Sequence, residues 1–271
     1  MYLWISRRGG HNPSPNPQWP VWPPYIARLH RPFIPPTAFL GGNMARQERW
    51  KELSKAAGSA SLPRPINLTG SHISLVPLCS EDADDIFRLT HAGERDEIWA
   101  EMKVGPFDGV ESFRAHVRDL LSDQSRTFLT LRTAAGPVGW LCLMEARPAH
   151  RVIELGYVLF APVLQRTIAA SESLFLIMRH VFDELGYRRL EWTCTTANTK
   201  SRRAADRLGF VFEGIMREGL TLKGRPCDIC MYSLLAREWV AAGGAFLTWL
   251  SPDNFADGRQ VRSLEQVRAS L

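Results

Sequence analysis

The residues best suited to chemistry lie between Ile153 and Glu172, in the run IELGYVLFAPVLQRTIAASE. Ile153, Leu155, Tyr157 and Leu159 alternate with Glu154, Gly156 and Val158, the two-residue period of a strand. Pro162 has no N–H to give to a sheet ladder and stops the strand. Gln165-Arg166-Thr167 then leads into Ile168-Ala169-Ala170-Ser171-Glu172, a helix start with Thr167 as its N-cap. A strand that runs into a helix N-terminus makes an anion site, because the first backbone N–H groups lack partners within the helix and the dipole is positive there. Arg166 adds a full positive charge, and the small Ala169 and Ala170 let a diphosphate approach the backbone. An ordinary strand–loop–helix core unit reads the same way, so this stretch alone leaves both readings open.

The elements that must position these residues follow from periodicity. Folding is expected from Ile66, with a first strand at His72–Leu78 and a helix capped by Ser80-Glu81-Asp82 that runs through Ile86, Leu89 and Thr90. A second helix spans Val110–Leu121, with Phe113, Val117, Leu120 and Leu121 on one face. Thr127–Thr133 and Pro137–Met144 form a hairpin across Ala134-Ala135-Gly136. The helix from Thr167 continues to about Leu185 and stops at Gly186. Arg188–Thr195 alternates in the manner of a half-buried edge strand, and Asn198–Ser201 opens a short helix that closes in Leu208-Gly209-Phe210. Phe212-Glu213-Gly214 and Asp228–Leu235 are the last strands, and residues 236–271 are expected to be helical in part.

Composition narrows the function classes. The net charge of +5 is not evenly spread: the first acidic residue is Glu48, and five arginines precede it. The remainder is close to neutral, so a broad nucleic-acid face is not expected on the folded part. Residues 1–65 hold 11 of the 18 prolines, which points to an extended or disordered arm. An arginine-containing, acid-free start suits a mitochondrial presequence, but Pro13, Pro15, Pro17, Pro20, Pro23 and Pro24 break the amphipathic helix it needs, and a cytoplasmic location is favoured. Five cysteines, three of them in strand-like runs, suit reduced buried thiols. Cys227 and Cys230 are three apart on a strand and point to opposite faces, so no metal site is expected. No apolar run reaches the ~20 residues that span a bilayer.

The stretch Gln165-x-x-Ile168-x-Ala170 resembles the acyl-CoA pyrophosphate loop of the GNAT N-acetyltransferases, with isoleucine where the pattern has its first glycine. The rest of the second half follows the order of the RimJ/RimL-like branch: Glu154-Leu155-Gly156-Tyr157, the loop helix, Asn198-x-x-Ser201, Leu208-Gly209-Phe210 and Glu213-Gly214. The resemblance covers about residues 66–235. It implies an α/β GNAT fold, a mixed central sheet flanked by helices, with the strands at 153–159 and 188–195 splayed apart. It implies three regions: a proline-rich arm (1–65), the acetyltransferase domain (66–235) and a helical extension (236–271).

The implied activity is direct transfer of an acetyl group from acetyl-CoA, as co-substrate, to a primary amine, either a protein N-terminus or a small amine. The backbone near Tyr157, Val158 and Leu159 would bind the cofactor arm and polarise the acetyl carbonyl. Gln165, Arg166, Thr167, Ile168, Ala169 and Ala170 would hold the pyrophosphate, and Asn198 and Ser201 would reach the arm from the other side. Glu154 is the candidate base, with a solvated or ion-paired carboxylate as the plain alternative; Ser201 is a candidate acid, rivalled by water. Trp99 and Phe107, in the loop after the first helix, are candidate acceptor contacts, and Glu94, Asp96, Glu97 and Glu101 would suit a cationic acceptor. A helix start at Thr167 tolerates isoleucine at the next position, so cofactor binding is expected to survive it. The rival reading is a non-catalytic acyl-CoA-binding or interaction module. Either a monomer or a homodimer suits the chain, with no membrane partner.

Overall fold

A computed structural model describes residues 58–92, 95–256 and 259–271; for residues 95 and 96 it describes the backbone alone. The proline-rich arm expected over 1–65 therefore lies outside the described residues up to position 57. From Ala60 onward the chain is tied to the body, since the N–H groups of Ala60 and Ser61 donate to Pro148 O and Leu185 O at 3.0 Å each.

Ten strands are present among the described residues: β1 (Leu68–Thr69), β2 (Ser74–Pro77), β3 (Thr127–Thr133), β4 (Gly136–Arg147), β5 (Val152–Phe160), β6 (Arg189–Thr195), β7 (Val211–Leu222), β8 (Arg225–Leu235), β9 (Phe255–Ala256) and β10 (Arg259–Gln260). The first eight make one sheet in the order β1-β2-β3-β4-β5-β6-β8-β7, while β9 and β10 pair separately. All neighbours in the large sheet are antiparallel except β5 and β6, which are parallel. The sheet is thus mixed. Arg189–Thr195, read from its alternation as an edge, lies inside the sheet between β5 and β8; its half-exposed side chains border an opening within the sheet. The edges of this sheet are β1 and β7.

Helices cover both faces. On one side lie α1 (Ala83–Thr90), α2 (Arg95–Trp99) and α3 (Val110–Ser122), whose Ile86, Trp99, Phe113 and Val117 pack on Phe128, Trp140 and Cys142. On the other lie α4 (Ile168–Arg179), α5 (Thr199–Leu208), α6 (Ala236–Trp249) and α7 (Leu264–Ala269). Phe175 and Phe182 meet Trp239 and Phe246 there, so the C-terminal helices share the main core and are not an appendage to it. After Arg179 the helix widens into a π turn over His180–Glu184, where a single helix to Leu185 was expected, and Gly186 ends it at φ +78°.

The feature that matters for function is a fork. β5 and β6 pair only at Val152↔Arg189, Ile153↔Leu190 and Glu154↔Glu191, and no pairing follows. The cause lies on the other edge of β5. Between the pairs Trp140↔Leu159 and Cys142↔Gly156, β5 spends three steps to two on β4, so one extra residue is bulged out. Tyr157 sits in this bulge at φ +52°. A bulge bends its strand and sharpens the twist, which carries β5 away from β6. Gly139 allows the close approach of β4 on this side: its φ is +141°, and a Cβ there would lie 2.0 Å from Leu159 O.

Candidate active site

The fork opens into a cleft of about 1030 Å³ bordered by β5 from Glu154 to Phe160, β6 from Trp192 to Thr195, and the first turns of α4 and α5. Backbone direction on β5 can be read from its pairing. Ala161 N–H donates to Val138 O at 3.0 Å, and the same register pairs Leu159 with Trp140. Alternation then turns Leu159 toward β4, and Val158 and Phe160 toward the cleft. Phe160 O fits this, accepting from the Gln165 side-chain amide at 2.9 Å. Of the three residues expected at the cofactor arm, Tyr157 sits in the bulge, the Val158 N–H faces the cleft, and the Leu159 N–H does not, because its polar groups belong to the β4 ladder.

The loop before α4 has the anticipated cap. Thr167 is extended (φ −101°, ψ 165°), and its Oγ1 accepts from Ala170 N–H at 3.1 Å while donating to Leu164 O at 2.6 Å. Ala170 N–H is thereby consumed by the cap and is not a free anion donor. The N–H groups of Ile168 and Ala169, in the first helical turn, have no acceptor within the helix. Ile168 packs its half-buried side chain against the main core and leaves its backbone at the mouth. Arg166 adopts the left-handed region at φ +64°, an unusual conformation for a residue with a side chain.

Glu154 sits where the fork begins, at the last paired position of β5. It is only 9% exposed, and Thr193 Oγ1 donates to its Oε1 at 2.6 Å. Burial pushes its carboxyl above the usual range; the Thr193 hydrogen bond pulls the other way, and the nearby charges of Glu191 and Glu145 add to the rise. The result is a carboxylate with more proton affinity than a surface glutamate.

Across the cleft, Asn198 caps α5, its Oδ1 accepting from Ser201 N–H at 2.9 Å. Ser201 Oγ accepts from the Trp192 indole N–H at 2.8 Å, and its hydroxyl proton is directed toward the Cys194 sulfur. Cys194 borders the cleft beside Ser201, but burial first of all pushes its thiol up to about 11, so at neutral pH it is not a nucleophile. Among the described residues no cluster of His, Cys, Asp and Glu could hold a metal ion, and no helix is long and apolar enough to cross a membrane.

Trp99 and Phe107 do not touch the cleft. Trp99 is fully buried, its indole N–H donating to Thr90 O at 3.3 Å, and Phe107 packs edge-on against it and against Phe113. Both were expected at the acceptor because they stand in the right loop; their size draws them into the second core instead. The same loop offers Glu97, Ile98, Glu101, Met102 and Lys103 to the cleft. Glu101 Oε2 accepts from Thr195 Oγ1 at 2.6 Å, and Glu97 pairs with Lys200 at 3.0 Å. Glu94, and the side chain of Asp96, lie outside the described residues.

Thr193 and Thr195 escaped the reading of the sequence, although their alternation on β6 put them on one face with the cleft-lining side. A second omission had no local signal: Arg207, Trp249, Phe255 and Gln260 line the outer end of the cleft, the last three from the C-terminal segment.

Residues 72–211 match the family model described as an acetyltransferase (GNAT) domain. A GCN5-related N-acetyltransferase from Brucella melitensis, known from a crystal structure, is 33% identical with a TM-score of 0.77, covering 79% of this chain and 99% of that one. The Bacillus subtilis protein named "Putative ribosomal N-acetyltransferase YdaF" is 34% identical over 101 residues, which are 37% of this chain and 55% of that protein. The chain thus spans about half the length of that curated relative. The spermidine N-acetyltransferase of Vibrio cholerae, solved in complex with CoA and spermine, shares the fold at 20% identity and a TM-score of 0.52, covering 63% of this chain and 99% of that one. The chain belongs to the GNAT acetyltransferase family.

Proposed function

We propose that the protein transfers an acetyl group from acetyl-CoA to a primary amine, a protein N-terminus or a small amine, by direct attack of the amine. The observation that carries this reading is the fork with a buried carboxylate at its base. Two strands part just after Glu154, which leaves on β5 a free edge of backbone donors and acceptors that a linear, amide-bearing molecule can complete as an added strand. The residues present fit acyl-CoA. The N–H groups of Ile168 and Ala169 at the start of α4 suit a diphosphate, and Arg166, two residues before Ile168, also lines the cleft. The isoleucine in the loop packs its side chain partly against the main core, and its backbone N–H stays available in the first turn of α4.

When bound, acetyl-CoA supplies an activated thioester; everything else is the work of the chain. Val158 N–H, preorganised on the free edge of β5, orients the carbonyl and stabilises the charge that develops on its oxygen. Glu154 takes a proton from the ammonium form of the acceptor, directly or through one water, so that the free amine can attack. Its raised proton affinity makes it a stronger base than a surface glutamate. The Ser201 hydroxyl, which the Trp192 indole N–H contacts, would give a proton to the departing sulfur and regain one from the proton that the attacking nitrogen sheds. Holding both reactants in one cleft removes much of the entropic barrier.

The test is acetyl-CoA-dependent release of free thiol against a panel of N-terminal peptides, polyamines and amino acids. Turnover with one acceptor class supports the reading. Tight acetyl-CoA binding without turnover for any acceptor would instead favour a binding module.

A further inference from the structure

The outer end of the cleft holds an arginine that the chemistry above does not use. Arg207 lies on the last turn of α5 and lines the cleft, six residues or about 9 Å along the helix from Ser201. Its guanidinium carbon stands 5.2 Å from the centre of the Trp249 ring. Among the described residues Arg207 makes no ion pair and no side-chain hydrogen bond. Its neighbours behave differently: Arg268 donates to Arg207 O at 2.7 Å and Asp206 O at 3.1 Å, which closes the end of α5. The charges nearest Arg207 are Glu265 and Arg268, of opposite sign, so the guanidinium is not neutralised locally.

A half-buried guanidinium without an anion is costly to keep, because desolvation is not offset by a partner. Burial also lowers its proton affinity, in keeping with its place on the Trp249 ring. The surroundings hold the side chain in place. Trp249 is nearly fully buried, its indole N–H donates to Gln260 Oε1 at 3.0 Å, and Phe255 packs edge-on against it. The C-terminal segment therefore presents Arg207 to the cleft on a fixed aromatic platform, with Gln260 at the rim.

We infer that Arg207, positioned by Trp249, is a subsite for a phosphate monoester at the outer end of the cleft, and that its ligand is the 3′-phosphate on the nucleotide end of acyl-CoA. This rests on the reading of the cleft as an acyl-CoA site. The diphosphate goes to the start of α4, and the arginine farther along α5 takes the second phosphate group. A planar fork of N–H donors suits phosphate oxygens in pairs. The C-terminal segment would then be part of cofactor recognition, and the protein would distinguish CoA from its 3′-dephospho form.

The experiment is calorimetric titration of the full chain with acetyl-CoA and with 3′-dephospho-acetyl-CoA, for wild type, Arg207→Gln and Arg207→Lys. Wild type is expected to prefer acetyl-CoA by roughly 10-fold to 100-fold, the range for a charge-assisted contact. Arg207→Gln should bring the ratio close to one by weakening acetyl-CoA alone, and Arg207→Lys should restore part of it. Thermal unfolding without ligand checks that each variant is folded. A wild-type ratio near one, or equal weakening of both ligands by Arg207→Gln, would overturn the phosphate subsite while leaving the cleft as an acyl-CoA site. No binding of either ligand to wild type would overturn the reading of the cleft itself.

Discussion

Replacing Glu154 by glutamine tests the proposed chemistry with little disturbance to the fold. The side chains have the same shape, and the glutamine carbonyl can still accept the Thr193 hydroxyl that Glu154 Oε1 accepts at 2.6 Å. What is lost is the base. A lysine-like primary amine has a pKa near 10.4, so about one molecule in 2,500 is unprotonated at pH 7, whereas an α-amine near 7.8 is short by roughly tenfold. Without Glu154 the acceptor must arrive already deprotonated. We expect kcat/KM to fall by about 10³ for a small alkylamine and by one to two decades for a peptide N-terminus, equivalent to about 4 and 1–3 kcal/mol of barrier. The assay is thiol release at saturating acetyl-CoA from about pH 5 to pH 9. Wild-type activity should rise through the elevated pKa of Glu154, and the variant should lose that limb and follow the acceptor's own ionisation. Stability should move the other way. A carboxyl whose folded pKa is raised loses stability as pH climbs from its ordinary value through the folded one, so at neutral pH the glutamine variant should melt no lower than wild type. A variant with rates within about threefold of wild type and an unchanged pH profile would refute Glu154 as base.

Gly139→Ala should cost on the order of 3 kcal/mol, a fall of about 10 °C in Tm, because φ +141° and the 2.0 Å approach of Leu159 O leave no room for a methyl group; an unchanged melting curve would contradict the β4–β5 geometry. Thr167→Ala removes the acceptor of Ala170 N–H and should lower stability by about 1 kcal/mol in urea titration while weakening acetyl-CoA binding; an unaltered unfolding midpoint would show that the cap is idle. Glu172 is buried, which by itself favours protonation, but the His72 ring and the Ser71 and His72 N–H groups outweigh this and hold its carboxyl below the usual range; the same contact, first of all the hydrogen bond, raises His72. Glu172 therefore contributes stability above about pH 4.5 that is lost as pH falls through its lowered value, and His72 contributes below about pH 6.5 and is lost as pH rises through its raised value. Glu172→Gln should lower stability on the plateau between those limits and flatten its decline on either side, and a pH dependence identical to wild type would exclude the pair as its source.

Much of the molecule is legible locally. The alternation of Ile153–Leu159, the Thr167 and Asn198 caps, the turn at Ala134–Gly136 and the stop at Gly209, which adopts φ +98°, each depend on a few neighbouring residues and their backbone preferences. So does the position of Glu154 relative to the loop, fourteen positions before Ile168, where the diphosphate cradle begins. These short-range rules also carry the family resemblance, because its motifs are caps, turns and strand ends.

Pairings between distant parts of the chain decided the rest. Whether Val158 or Leu159 offers its N–H to the cleft depends on a register with Trp140, and the bulge at Tyr157 that shifts this register has no signature in β5 itself. The half-exposed face of Arg189–Thr195 looks the same at a sheet edge as beside a fork, and only the shortness of the β5–β6 pairing tells them apart. Trp99 and Phe107 were in the right loop, yet burying a large aromatic surface outweighs exposing it to a ligand. The closure of the cleft by Arg207, Trp249 and Gln260 joins residues 42 to 53 positions apart. Sequence by itself determined the elements and the donors they carry, because those follow from local backbone and periodicity; only the tertiary structure decided which donors face one another, because that depends on register and on which side chains the core takes in.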